Sequence, residues 1–210
     1  MASGKTTLVN YLRSKGFYVL EADEIYGDLF QVGTDCYNDV LDAFPCARAD
    51  DIQTTRANLR RIVFDKADTD NTQLKKLNAA SWQYILDAVK TLISAYNKEK
   101  PDKSKTKLNG EPSGVIFLSA AVLYEMGLAE FCNKVINISA SKENRMARLA
   151  KHKTLGADKT FVKKIIESQL SESEREKLAD ITILNNCSKA EFFLKFDKIW
   201  EQLLTLHPQQ

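Results

Sequence analysis

Short apolar runs separated by longer stretches of helical period set the outline of this chain. Phe17-Tyr18-Val19-Leu20, Val115-Ile116-Phe117-Leu118, residues 134–138 with Val135, Ile136 and Ile138, and Ile181-Thr182-Ile183-Leu184 are apolar and rich in β-branched or aromatic residues. They predict four buried strands. Elsewhere the apolar residues recur near multiples of 3.6. Leu8, Tyr11 and Leu12 share a helix face that stops at Gly16. Residues 24–96 read as mainly helical, with Leu59, Ile62 and Val63 on one face and Leu77, Tyr84, Ala88 and Leu92 on another. Ser141 and Asp158 stand where N-caps belong, the second before Val162, Ile165, Ile166 and Gln169 on one side. Ser171 and Glu174 have the spacing of a capping box. A closing helix carries Phe192, Phe196, Ile199, Trp200 and Leu203 on one stripe, read as core. Strands alternating with helices predict an α/β fold with a parallel sheet.

Composition narrows this little. The 210 residues suit one domain, or one core with an insertion. Thirty Lys and Arg against 28 Asp and Glu leave a net charge of +2, which calls for neither nucleic acid nor a charged surface. Residues 97–113 are polar, Lys-rich and broken by Pro and Gly. They read as a solvated loop, because no aromatic residue accompanies the lysines. No run approaches the roughly 20 apolar residues of a membrane span, and the first residues are too polar for a signal peptide. Cys36, Cys46, Cys132 and Cys187 form no CxxC and no cluster with histidine, so free thiols in a reducing cytoplasm are expected.

The chemistry concentrates at the start. Ala2, Ser3, Gly4, Lys5, Thr6 and Thr7 run directly into the first helix. Gly4 lets backbone approach a polyphosphate. The free N–H groups of Lys5, Thr6 and Thr7 attract anions, the Lys5 ammonium reaches phosphate oxygens, and the Thr6 hydroxyl can ligate Mg²⁺. The same residues would also serve as a plain helix start. The full phosphate-loop pattern GxxxxGK[ST] follows a strand; here neither its first Gly nor that strand has a counterpart. The expectation is an N-terminally shortened kinase whose sheet has a gap between the strands at 115–118 and 134–138. Asp23 ends the first strand segment, where parallel sheets place their ligands, and can take a proton from an acceptor hydroxyl. It also suits a helix N-cap. Glu21 lies two residues before it. Arg148, one helix after the third strand, can clamp phosphoryl oxygens or pair with an acid on its own helix.

Together these residues resemble the dephospho-CoA kinase family. Residues 2–8, ASGKTTL, resemble the end of its phosphate loop. Glu21-Ala22-Asp23 resembles its Asp-Ala-Asp signature, with Asp23 on the catalytic aspartate. Arg56, Leu59, Val63 and Phe64 match its R-x-x-L-x-x-x-V-F pattern, and Leu77-Asn78 its Leu-Asn pair. Val122-Leu123-Tyr124-Glu125 resembles its Leu-Leu-Phe-Glu, and Arg148-Leu149 its lid opening. Gln169, Ala179-Asp180 and Asn185 match its closing pattern, in which the Asn lies near the nucleotide base. Departures stand at Glu21, at Trp82-Gln83 for a His-Pro, at Ala121 for a Pro, at His152 for a lid arginine, and at Cys187 for a Gly.

The resemblance implies a phosphate-loop kinase core over 1–27 and 114–210, a lid near 148–175 and a helical CoA-binding insertion over 28–96. It implies transfer of the ATP γ-phosphoryl to the ribose 3′-hydroxyl of dephospho-CoA, with Mg²⁺. Lys5, Asp23 and Arg148 would be catalytic, residues 2–7 and Asn185 would bind ATP, and Arg56, Tyr124 and Glu125 would bind the acceptor. A monomer without nucleic-acid or membrane partners is expected. Two other readings stay open: another small-molecule or nucleoside-monophosphate kinase, and a catalytically silent homologue that binds CoA or nucleotide.

Overall fold

The computed structural model describes residues 2–65, 67–98, 114–150 and 168–206. Its elements run α1 (Lys5–Ser14), β1 (Tyr18–Glu21), α2 (Ala22–Leu29), α3 (Asp35–Ala43), α4 (Ile52–Val63) and α5 (Thr72–Lys98). Then follow β2 (Ile116–Ser119), β3 (Ile136–Ser139), α6 (Lys142–Ala150), α7 (Glu172–Leu178), β4 (Ile181–Leu184) and α8 (Lys189–Leu206). Each expected strand is present, the first three shifted toward the C-terminus by one or two residues. The helix cap at Asp158 and the residues 162, 165 and 166 beside it lie outside the described residues, as does His152.

Local chemistry explains the boundaries. Gly16 takes φ +88° behind α1, a conformation that costs a residue with a Cβ. Ser171 and Glu174 form the reciprocal capping box of α7, and the Ser141 hydroxyl accepts the Asn144 N–H to start α6. α5 continues to Lys98, two residues into the segment read as polar loop. Its buried face is Ser81, Ile85 and Val89, not the expected stripe from Leu77 to Leu92. The helix packs on two sides at once: Leu77 and Tyr84 against one cluster, Trp82, Leu86 and Ile93 against another. The deepest residues therefore lie between the two apolar faces.

The strands form two parallel pairs. β1 pairs with β2 in the register Tyr18↔Ile116 to Glu21↔Ser119, and β3 with β4 from Ile136↔Ile181 to Ser139↔Leu184. Among the described residues no strand joins the two pairs. This is the gap expected between the strands near 115–118 and 134–138. The core accordingly divides. Phe30, Val40, Leu41, Leu59 and Val63 close one cluster between the helices that connect β1 to β2. Leu8, Val9, Leu12, Val19, Ile183, Phe192 and Phe196 close a second where α1 and α8 meet the strands. Tyr11 stacks on Phe193 at 4.0 Å between ring centres and donates to the Asp197 carboxylate, fastening α8 to α1.

Candidate functional site

The carboxyl ends of the strands and the amino end of α1 meet in one cleft of about 1680 Å³. Residues 2–7, Glu21, Asp23, Ser119, Tyr124, Glu125 and Arg148 all line it. α1 begins after Gly4, so the N–H groups of its first turn have no partner within the helix and favour an anion. Gly4 has φ +111°, and a Cβ there would sit 2.2 Å from Asn185 Nδ2. Glycine is required twice, by conformation and by the side chain packed on it.

Asn185 is buried, and its Nδ2 donates to the Ser3 carbonyl at 2.7 Å. Arg148 donates from Nη1 to the Ala2 and Ser3 carbonyls, both at 3.2 Å, and from Nη2 to the Asn185 carbonyl at 2.8 Å. Among the described residues no acid on α6 takes this guanidinium; three carbonyls do. They hold the loop from behind. Ala2 itself carries φ +59°, unusual for a residue with a Cβ.

Lys5 Nζ donates to Ser119 Oγ at 3.3 Å and lies 3.8 Å from Asp23 Oδ2. The Asp23 side chain is 79% exposed, so this ion pair contributes little stability and its interest is its position. Asp23 is the second residue of α2; Glu21 holds the N-cap position without a side-chain bond. The cap reading of Asp23 therefore does not hold, and its carboxylate is left to the cleft. Glu21 pairs with Arg13 at 2.9 Å, and Arg13 also grips Glu24. Burial, then the charge of Glu24, push the Glu21 carboxyl upward despite that arginine. Thr6 is exposed in the first turn of α1 and lines the cleft.

The expected acceptor residues divide. Tyr124 and Glu125 line the cleft. Burial raises the Tyr124 phenol, whose oxygen has no hydrogen-bond partner among the described residues, and Glu125 Oε1 accepts the Leu170 N–H at 2.8 Å. Arg56 does not join them. Its Nη2 donates to the Gly27 and Phe30 carbonyls at 2.8 and 3.0 Å, bracing the end of α2. Arg60, one helical turn later, lines the cleft instead, with Asn78 and Trp82. The i, i+4 spacing from Arg56 was the available signal. Arg145 and Arg175 also line it, Arg145 paired with Glu172 at 2.8 Å. Neither was singled out from sequence.

A Gly-Lys-Thr helix start at the carboxyl ends of parallel strands, with an aspartate across from the lysine, defines a phosphate-loop kinase. Two solved structures share the fold. A Thermus thermophilus protein aligns with a TM-score of 0.69 at 20% identity, covering 97% of this chain and 93% of its own. A dephospho-CoA kinase from Campylobacter jejuni aligns at 0.62 and 24% identity, covering 97% and 92%. The chain belongs to the dephospho-CoA kinase family, whose model matches residues 1–191. The dephospho-CoA kinase of Fusobacterium nucleatum is 29% identical over 204 residues, 97% of this chain and 94% of that protein. That of Lactobacillus johnsonii is 26% identical over 206 residues, again 97% and 94%. The activity is thus that of a kinase which phosphorylates dephospho-CoA to coenzyme A. No helix among the described residues is long and apolar enough to cross a membrane.

Proposed function

We propose that this cleft transfers the ATP γ-phosphoryl to the ribose 3′-hydroxyl of dephospho-CoA, with Lys5, Thr6 and Asp23 at its reacting end. The observation that carries this is the meeting of Lys5 Nζ, Ser119 Oγ and Asp23 Oδ2 beside the amides of α1. Phosphoryl transfer needs little covalent chemistry from a protein and much positioning and charge. The amides of residues 5–7 and the Lys5 ammonium hold the phosphates. Asp23 orients the acceptor hydroxyl and takes its proton. Arg148 and Asn185 act from behind, fixing the carbonyls of Ala2 and Ser3 so that the loop keeps its shape. Arg145 and Arg175 supply further positive charge. Tyr124, Glu125, Arg60 and Trp82 receive the acceptor, while Arg56 supports it indirectly through the end of α2.

The donor set fits Mg²⁺ entering with ATP. The exposed Thr6 hydroxyl and the Asp23 carboxylate are hard oxygen donors on the same cleft, and phosphate oxygens complete such a site. The ion would neutralise charge on the phosphate oxygens. We place the protein in the cytoplasm as a monomer acting on two small molecules, without nucleic-acid or membrane partners; the near-neutral charge supports this.

Substitution tests the assignment. Asp23→Asn keeps the shape and removes the base, so turnover should fall about 10²–10⁴-fold with ATP affinity nearly unchanged. Lys5→Ala should weaken ATP binding and slow transfer together, because it meets charge in ground and transition states. Near-normal turnover of Asp23→Asn removes the carboxylate from the mechanism.

A further inference from the structure

Charged side chains stand at both ends of α1. Lys5 opens the helix, and Arg13 lies in its last turn, about 12 Å further along the axis. Helical side chains lean toward the amino end, so a long one near the last turn can reach back to the strand beside it. The Arg13 guanidinium does so. Its Nη1 and Nη2 donate to Glu24 Oε1 and Oε2 at 3.0 and 2.5 Å, and Nη1 lies 2.9 Å from Glu21 Oε1.

These two carboxylates flank Asp23. Glu21 ends β1 at the N-cap position of α2, where its side chain caps nothing, and Glu24 is the third residue of that helix. Among the described residues the Asp23 carboxylate has one charged partner, Lys5 at 3.8 Å. Its place is therefore set by the backbone that carries it. The buried Ala22 holds that backbone from beneath, and one guanidinium holds it from both sides.

Charge points the same way. Three carboxylates in four positions repel one another and compete for Lys5, whose charge already reaches Glu21. Arg13 takes two of them and leaves Lys5 to Asp23 and the phosphates. The pair with Glu24 is too exposed to contribute much stability. A planar fork that grips both oxygens of a carboxylate fixes direction instead.

We propose that Arg13 is a positioning residue for phosphoryl transfer: by clamping Glu21 and Glu24 to α1, it sets the place of Asp23 relative to Lys5 at the other end of the same helix. The inference rests on the reading of Lys5 and Asp23 as the reacting end of the cleft.

A double-mutant cycle on the full chain tests it, with kcat read at saturating ATP and dephospho-CoA and ATP affinity read by calorimetry. Arg13→Gln should lower kcat about tenfold or more and leave ATP affinity within about twofold. In the Asp23→Asn background the same change should cost less than about twofold, since the group it positions no longer acts. Glu24→Gln reaches the clamp from the other side and leaves Glu21 paired. It should show the same pattern with a fall of about threefold, and it carries the test if Arg13→Gln fails to fold. Three outcomes overturn the inference while Asp23→Asn itself is impaired: an unchanged kcat, equal losses in the two backgrounds, or an ATP affinity that falls as far as kcat. Near-normal turnover of Asp23→Asn alone overturns the reading beneath it, and the inference with it.

Discussion

The helices between β1 and β2 and the strands around the cleft are built from similar apolar residues, yet they close to different degrees. In the helical region Phe30, Val40 and Ala47 have no exposed surface at all. Around the strands Phe117, Ile136, Ile138 and Trp200 are only partly covered. A helix satisfies its own backbone hydrogen bonds, so side-chain packing alone seals a helical cluster. A strand needs a neighbour on each edge, and here β2 and β3 each have one among the described residues. Closure of the sheet therefore depends on pairing that the helices do not require.

Truncation should expose this difference most sharply. Phe30→Ala should cost about 3–5 kcal/mol, as expected for a sealed aromatic, and Phe117→Ala about 1–2 kcal/mol. Urea unfolding read from variants keeping only Trp82 or only Trp200 would measure each region separately. Equal costs would break the contrast.

The next effect is at the loop joining the regions. Gly4→Ala forces a Cβ into Asn185 and strains a positive φ, and should lower stability by about 1–3 kcal/mol while weakening ATP binding. Adding Asn185→Ala relieves the clash but not the backbone strain. The double variant should thus lose less than the sum of the two single changes. Strict additivity in a double-mutant cycle would show that Asn185 does not bear on Gly4.

The smallest effect is at the open pair. The Lys134 ammonium, with the Val135 N–H, holds the Asp180 carboxyl below the usual range. A carboxyl depressed in the folded state contributes stability above its unfolded pKa of about 3.9 and loses it as pH falls through the folded value. Asp180→Asn should flatten only the acid limb of the stability curve, below about pH 4. A changed slope near neutrality would contradict the pairing.

What was legible in the sequence was local. The Ser171–Glu174 box, the turn at Gly16 and the four strands follow from short-range spacing and backbone preference. The loop's support could not. Arg148 lies 145 residues from Ser3, and Asn185 lies 182, so nothing local links them. Asn185, matched in sequence to a residue near the nucleotide base, also holds the Ser3 carbonyl with its side chain. Arg56 and Arg60 share a helix, and only packing on Gly27 and Phe30 decides which of them faces the cleft.

The central claim is the identity of the reaction, and the product tests it most directly. The purified chain, ATP and dephospho-CoA would be incubated at high enzyme concentration, and the product examined by mass spectrometry and phosphorus NMR. The account predicts coenzyme A carrying one new phosphate on the ribose 3′-oxygen, with ADP formed in equal amount and slower release with nucleoside monophosphates. Faster transfer to another acceptor, or both ligands bound with no coenzyme A formed, would contradict it.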